Sequence, residues 1–262
     1  MSAAPLVVFA NNRVGWWVTR YLRERGEEIA AVVVHPRHRQ RFGDEIMLAA
    51  GVPASRVIDG ARLREPATVE RLAALEPRYG VSALFGYILR PELLALFAGG
   101  CVNVHPSYLP FGRGANPNVW SILEGTPAGA TVHWVDAGVD TGDIVARRRV
   151  AVRPDDTGET LYRRLEVACA ELFEQTWPMI RTGCAPRLPQ QADEGTSHRL
   201  AELAAVDAID LDRQYTGREL LDILRARTFP PYKGAYYEVD GRRIYVRVAL
   251  SPDDPSDLEI IS

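Results

Sequence analysis

The chain has 262 residues, 47% of them hydrophobic and 25% charged, which suits one large soluble domain with a small addition. The net charge is −3, with 31 Lys and Arg against 34 Asp and Glu, so a nucleic-acid or anionic-membrane partner lacks its usual basic excess. Three cysteines without metal-ligand spacing, no apolar stretch of ~20 residues and no signal-peptide pattern favour a cytoplasmic protein without a metal or a membrane span.

The first half of the chain alternates short apolar runs with amphipathic segments. This alternation predicts right-handed βαβ crossovers and a mostly parallel, doubly wound sheet of the Rossmann-like α/β class. The expected strands are 6–9, 29–34, 56–59, 81–85 and the run that leads into Asn103, and the expected helices are 14–24, one around Ile46, 68–75 and one that begins at Pro91.

The second half predicts fewer elements and a domain boundary. We expect a helix over 118–123, an antiparallel pair of strands over 131–135 and 144–150, a long helix over 160–177, a helix after the capping-box pattern 216–219, and a hairpin over 235–248. The predicted organisation is a catalytic domain over 1–185, a linker over 186–200 and a small C-terminal α+β domain over 201–262. The edge of the hairpin makes a homodimer possible.

Two polar residues follow the apolar run 98–102. Asn103 and His105 are two positions apart, so on a strand both side chains point to one face. At the carboxyl end of a strand in an open α/β sheet, where ligands bind, an amide and an imidazole suit acyl transfer. A carboxylate from a second glycine-containing loop, Asp140 or Asp143, can orient or charge the imidazole, and spacing alone does not separate the two. No glycine-rich dinucleotide or phosphate-binding pattern occurs.

The other four histidines are weaker candidates for a catalytic role. His133 alternates with apolar residues on a strand, which favours a structural role in the core. His35 and His38 lie among arginines and are expected at the surface, and His198 has no evident partner.

These motifs resemble the folate-dependent formyltransferases. The matching residues are Asn-x-His-Pro-Ser at 103–107, Leu-Pro-x-x-Arg-Gly at 109–114 and Val-Asp-Thr-Gly-Asp at 139–143, within a region of strong similarity over 81–150. The resemblance implies 10-formyltetrahydrofolate as cofactor and a catalytic triad of Asn103, His105 and Asp140, and it therefore prefers Asp140 to Asp143.

The resemblance also implies where the ligands bind. The cofactor-binding residues carried over from it are Phe85, Gly86, Tyr87, Ile88, Leu89, Asp136, Gly138 and Val139. Ser107, Arg113 and Gly114 are candidate substrate contacts, and so is Trp16, which stands where the family usually has a small residue. For three of these an alternative is open: a turn cap for Ser107, bonding across the loop for Arg113 and core packing for Trp16.

The acceptor is less well defined than the cofactor. The segment 220–236 is similar to the part that follows the catalytic core in nucleotide-sugar N-formyltransferases, which favours a nucleotide-linked amino sugar. Methionyl-tRNA is the first alternative, although the negative net charge and the short C-terminal part weigh against it. A non-sugar amine, such as an amino acid or an antibiotic intermediate, and a catalytically silent folate-binding module are the others.

Overall fold

The computed structural model describes residues 4–191 and 193–252. The strands are β1 (Leu6–Ala10), β2 (Ile29–Val34), β3 (Val57–Asp59), β4 (Tyr79–Ala83), β5 (Cys101–His105), β6 (Arg113–Gly114), β7 (Ala128–Trp134), β8 (Ile144–Val150), β9 (Ser197–His198), β10 (Tyr236–Val239) and β11 (Arg242–Tyr245). The α-helices are α1 (Arg13–Glu24), α2 (Gly43–Ala50), α3 (Pro66–Ala73), α4 (Pro91–Leu94), α5 (Pro117–Glu124), α6 (Gly158–Arg181), α7 (Leu203–Asp207) and α8 (Gly217–Ala226).

The central sheet has seven strands in the order β3-β2-β1-β4-β5-β7-β8. The first five strands of that order pair in parallel, whereas β7 pairs antiparallel with β5 and β8 antiparallel with β7. The α/β class and the mostly parallel doubly wound sheet are therefore confirmed. Strands β1 and β2 are apolar along their whole length because helices cover both faces.

Strand β1 shows how the two layers form. Val8 and Ala10 belong to a core on the side of α1 and α6, and Val7 and Phe9 belong to a second core on the other face. Side chains alternate between faces at period two, so five consecutive apolar residues fill two different cores. This packing fixes the sheet whose carboxyl edge carries the polar residues.

The C-terminal part is the small α+β unit expected. The capping box is present, with Thr216 and Glu219 each accepting from the other's backbone at the start of α8. The β10–β11 hairpin turns at Asp240 and Gly241, which both have positive φ. The end of the predicted domain, 253–262, lies outside the described residues.

The segment predicted as a linker is bonded to the catalytic domain along its length. Leu188 pairs with Ile144 of β8, and β9 pairs in parallel with β6. A flexible spacer makes no such contacts. The sequence did not indicate them because both pairings are short and join distant parts of the chain.

Candidate active site

A cavity of about 610 Å³ lies at the carboxyl ends of β4 and β5. Asn103, His105 and Asp140 all contribute to its wall, and Asp143 does not. The two residues of β5 arrive together because they are two positions apart on one strand. The turn between β7 and β8 brings the carboxylate, so the structure places the three predicted catalytic residues around one space.

His133 is buried, as predicted, and it also lines this cavity, which its sequence pattern did not indicate. It lies directly opposite Asn103 in the antiparallel pairing of β5 with β7, and it is 2% exposed. Its Nδ1 lies 2.9 Å from the carbonyl oxygen of Trp134, and its Nε2 lies 3.1 Å from Asn103 Nδ2. A carbonyl only accepts, so Nδ1 carries the proton and the Nε2 of neutral His133 accepts from Asn103. This bond turns the Asn103 amide so that its second N–H remains available.

The His105 ring is held by one nitrogen. Nε2 lies 2.9 Å from the carbonyl oxygen of Gly112 and 3.6 Å from Asp140 Oδ2. Because the Gly112 carbonyl can only accept, Nε2 keeps its proton. Among the described residues Nδ1 has no hydrogen-bond partner, and it is the nitrogen through which His105 can take up or release a proton.

Asp140 is partly buried and ionised. Burial raises the pKa of its carboxyl, yet the charge of His105 and the N–H of Gly114 lower that pKa well below its usual range. Oδ2 accepts from the Gly114 N–H at 2.9 Å, and Oδ1 lies 3.6 Å from His133 Nε2. The residue has a φ of 55°, which is rare outside glycine and persists where neighbouring contacts impose it.

One end of the cavity is apolar and has free backbone groups. The segment 84–90 after β4 has no regular structure, and in the part of the chain that is described the N–H and C=O groups of Gly86–Leu89 have no partner. Ile88 and Val139, both apolar, are 65% and 47% exposed at this end. A flat, apolar-faced ring with polar edges fits such a slot, since rings can pack on the side chains and bond to the backbone. All eight predicted cofactor-binding residues line the cavity, namely Phe85, Gly86, Tyr87, Ile88, Leu89, Asp136, Gly138 and Val139.

His35 supports this slot, so its prediction as a surface residue was wrong. It is half-buried, its Nε2 donates to the carbonyl oxygen of Phe85, and its ring lies 4.6 Å from that of Tyr87. Burial lowers the pKa of His35, although the bond to Phe85 opposes this. His38 is exposed, as expected.

Of the four candidate substrate contacts, only Gly114 lines the cavity. Ser107 is 1% exposed, and Trp16 packs on Phe42 with ring centroids 6.0 Å apart. Arg113 donates through Nε and Nη2 to Gln190 Oε1 at 3.0 and 2.8 Å. Trp16 therefore packs in the core and Arg113 bonds across the loop, which are the alternatives stated for these two residues.

The opposite wall contains residues that the sequence did not single out. Tyr162 of α6 and the pair His198 and Arg199 face the same cavity. His198 was expected to have no partner, but its ring stacks on Trp120 at 3.8 Å and its two nitrogens lie 2.9 Å from the carboxylates of Glu124 and Glu202. A lone histidine beside a glutamine- and acid-rich stretch gives no signal of these contacts.

The described residues contain no group of three or more His, Cys, Asp or Glu side chains arranged to hold a metal ion. They also contain no helix that is both long and apolar enough to cross a bilayer.

Comparison with known proteins gives a consistent result. Residues 6–176 match the family model described as formyl transferase, and residues 202–252 match that of the N-formyltransferase dimerization C-terminal domain. A methionyl-tRNA formyltransferase from Geobacter metallireducens is 31% identical over 249 residues, which cover 90% of this chain and 78% of the relative.

Two solved structures are similar in sequence and in shape. The likely sugar N-formyltransferase from Mycobacterium tuberculosis is 27% identical with a TM-score of 0.76, and the match covers 97% of this chain and all of the other. The formyltransferase PseJ from Anoxybacillus kamchatkensis, solved with a UDP-linked formamido sugar and tetrahydrofolate, is 28% identical with a TM-score of 0.55, covering 77% of this chain and 88% of the other.

Proposed function

The chain belongs to the formyl transferase family, and on this premise we propose that it moves a formyl group from 10-formyltetrahydrofolate to the amino group of a nucleotide-linked amino sugar. The observation that carries the proposal is the convergence of Asn103, His105 and Asp140 on one cavity. Their chemistry suits acyl transfer without a metal ion.

The apolar end of the cavity suits the donor. The pterin of 10-formyltetrahydrofolate is flat and has a donor- and acceptor-rich edge, which matches the unpaired backbone of Gly86–Leu89 and the exposed side chains of Ile88 and Val139. The PseJ structure contains tetrahydrofolate, which supports the same cofactor class here. When bound, the folate supplies the formyl group.

The catalytic residues then have separate tasks. The free N–H of Asn103 donates to the formyl oxygen as negative charge develops there. A carbon–nitrogen bond forms to the amine and the bond to the folate N10 breaks, so the amine loses one proton and N10 gains one. His105 accepts and returns this proton through Nδ1, and Asp140 stabilises the imidazolium that forms in between.

An aromatic and cationic surface next to the cavity supports a nucleotide-linked acceptor. Tyr162 lines the cavity, and its ring lies 5.5 Å from Phe229, which lies 5.4 Å from Tyr232. Arg41 covers the Tyr232 ring at 5.2 Å and Arg163 covers the Phe229 ring at 5.8 Å. Aromatic rings stack with bases and guanidinium groups pair with phosphates, which are the two parts of a nucleoside diphosphate.

Burial raises the pKa of Tyr162, and nearby Glu166 adds to the effect. Its phenol therefore stays protonated and can donate a hydrogen bond to the acceptor. Arg13 and Arg163, which lie against Glu166, keep this region from being net acidic. A sugar hydroxyl or phosphate oxygen is a suitable partner for the phenol.

Methionyl-tRNA is the second candidate because relatives with that name share 30–36% identity with this chain. The net charge of −3 provides no general attraction to an RNA backbone. The described C-terminal part, two short helices and a hairpin, gives an RNA little extended surface.

A panel assay separates these acceptors. The purified protein is incubated with 10-formyltetrahydrofolate and, in separate reactions, UDP- and dTDP-linked amino sugars, charged methionyl-tRNA and free amino acids. We expect N-formyl product, detected by mass spectrometry, with at least one nucleotide-linked amino sugar and none with the tRNA. Formylation of the tRNA alone contradicts the proposed acceptor, and no product with any amine contradicts the proposed enzyme.

We also propose that the protein forms a homodimer through the β10–β11 hairpin. The matched C-terminal family is described as a dimerization domain, and Val239, Ile244 and Tyr245 of the hairpin are between 38% and 43% exposed. Replacing Ile244 by aspartate is expected to shift the sedimenting species from dimer to monomer. A wild-type chain that sediments as a monomer of 29.1 kDa contradicts the proposal.

A further inference from the structure

We infer that Gln190, in the segment between the two domains, is a positioning residue that fixes the catalytic carboxylate of Asp140. The inference deepens the proposed function and rests on it, because it concerns the same reaction. Gln190 does not line the cavity, and among the described residues it makes no hydrogen bond with His105 or Asn103. Its effect on the reaction must therefore pass through another residue.

The amide of Gln190 is fully used. Its Nε2 donates to the carbonyl oxygens of Asp140 at 2.9 Å and Gly142 at 2.8 Å, so both N–H groups hold the turn on which the carboxylate stands. Its Oε1 accepts from Nε and Nη2 of Arg113. Four hydrogen bonds on one side-chain amide are the most that its two donors and two lone pairs allow.

These hydrogen bonds and the chain between Arg113 and Gly114 connect Gln190 to Asp140 by two routes. Gly114, the residue after Arg113, donates its N–H to Asp140 Oδ2 at 2.9 Å. Gln190 therefore holds the backbone of Asp140. The Gly114 N–H holds its carboxylate, and Gly114 directly follows Arg113, which binds Gln190. This arrangement accounts for the positive φ of Asp140, which a free turn has little reason to keep.

In the described part of the chain, the carbonyl oxygens of Asp140 and Gly142 have no hydrogen-bond donor other than Gln190. A Cβ on Gly142 would lie 1.9 Å from the carbonyl oxygen of Trp134, so the backbone there is already against β7. Without the Gln190 amide, the carbonyls of Asp140 and Gly142 lose their donors. The carboxylate is then free to move relative to His105, from which it is 3.6 Å away.

The test is Gln190→Leu, with Gln191→Leu as its matched control, because the neighbouring Gln191 side chain is exposed and makes no hydrogen bond in the described chain. We expect Gln190→Leu to lower kcat about 10- to 100-fold, the size expected for small misplacement of a catalytic group, with KM for the amine within about threefold. Gln191→Leu should behave as wild type.

Two further readouts distinguish positioning from general destabilisation. In an Asp140→Asn background, Gln190→Leu should add less than about threefold, because residues that act as a unit are not additive. In ¹⁵N-glycine-labelled protein, the Gly114 amide should exchange with solvent faster in Gln190→Leu than in Gln191→Leu, since its acceptor has moved. Gln190→Glu, which keeps the acceptors for Arg113 but loses both donors, should reproduce the loss if the leucine variant does not fold.

The inference is overturned if Gln190→Leu and Gln191→Leu have equal kcat, or if the loss is as large in the Asp140→Asn background as in wild type. An unchanged Gly114 exchange rate overturns it as well. A wild-type protein that formylates no amine overturns the proposed function instead, and the Gly114 measurement, which needs no turnover, still decides the contact.

Discussion

Replacing Asp140 by asparagine is expected to lower kcat by up to roughly 10⁴-fold, as for the carboxylate that holds the catalytic imidazole of a serine-protease triad. The change keeps the shape of the side chain and an oxygen for the Gly114 N–H, but it removes the negative charge 3.6 Å from His105. The imidazolium that forms during proton transfer is then no longer stabilised by an opposite charge.

Asp143→Asn is the matched control for this variant. Asp143 lies three residues further along the same turn, and its side chain neither lines the cavity nor makes a hydrogen bond in the described chain. Folate binding, measured by calorimetry with a stable analogue, should be similar in both variants and wild type. If the two variants have the same kcat, Asp140 is not the catalytic carboxylate.

Asp140→Asn is also expected to change how the free energy of unfolding depends on pH. The pKa of the Asp140 carboxyl is lowered on folding, so its contribution to stability is complete above the unfolded-state pKa of about 4 and is lost as the pH falls from there towards the folded value. In urea unfolding, the advantage of wild type over Asp140→Asn should therefore be largest near neutral pH and shrink below about pH 4. An advantage that is unchanged at pH 3 contradicts an ionised, stabilising carboxylate.

The sequence predicted the strands of the central sheet because each of them has a local pattern. The continuous apolar run 29–34 has one interpretation in an alternating α/β chain, and β2 has those bounds. The two-residue spacing of Asn103 and His105 likewise placed both on one face of β5. Each inference needed only the period of the element on which the residues lie.

The hydrogen bonds of the site that the sequence did not predict join distant parts of the chain. His133 alternates with apolar neighbours, which by itself indicates a core residue, but its partner across the antiparallel pair is Asn103, 30 positions away. Gln190 bonds to residues 48 to 77 positions away, in a segment whose composition indicated a linker. Strand pairing and loop packing determine these contacts, and neither has a sequence period to detect.

Replacing Asn103 by alanine is expected to lower kcat about 10²- to 10³-fold, the usual loss for one oxyanion donor. The amide N–H that His133 leaves free is the donor placed to meet the developing charge on the formyl oxygen, and water cannot replace it with the same fixed orientation. Because this bond strengthens only in the transition state, KM for the amine should change little.

Asn103→Asp distinguishes an oxyanion donor from a residue that only fills space. Its carboxylate has the size of the amide but offers acceptors in place of donors, so it repels the developing oxyanion, and it should be at least as inactive as the alanine variant. A simple loss of packing predicts the opposite order, since aspartate fills the space and alanine does not. Near-wild-type kcat in Asn103→Asp would therefore exclude the oxyanion role.

The matched control for His105→Ala is His38→Ala, because His38 is exposed and does not line the cavity. Loss of His105 removes both the proton carrier and the partner of Asp140, so a loss comparable to that of Asn103→Ala is expected. The double variant Asn103→Ala, His105→Ala should be little worse than the poorer single variant, because the two groups stabilise the same transition state. Fully multiplicative losses would mean that Asn103 and His105 contribute independently, and the joint action proposed for them in this cavity would then be wrong.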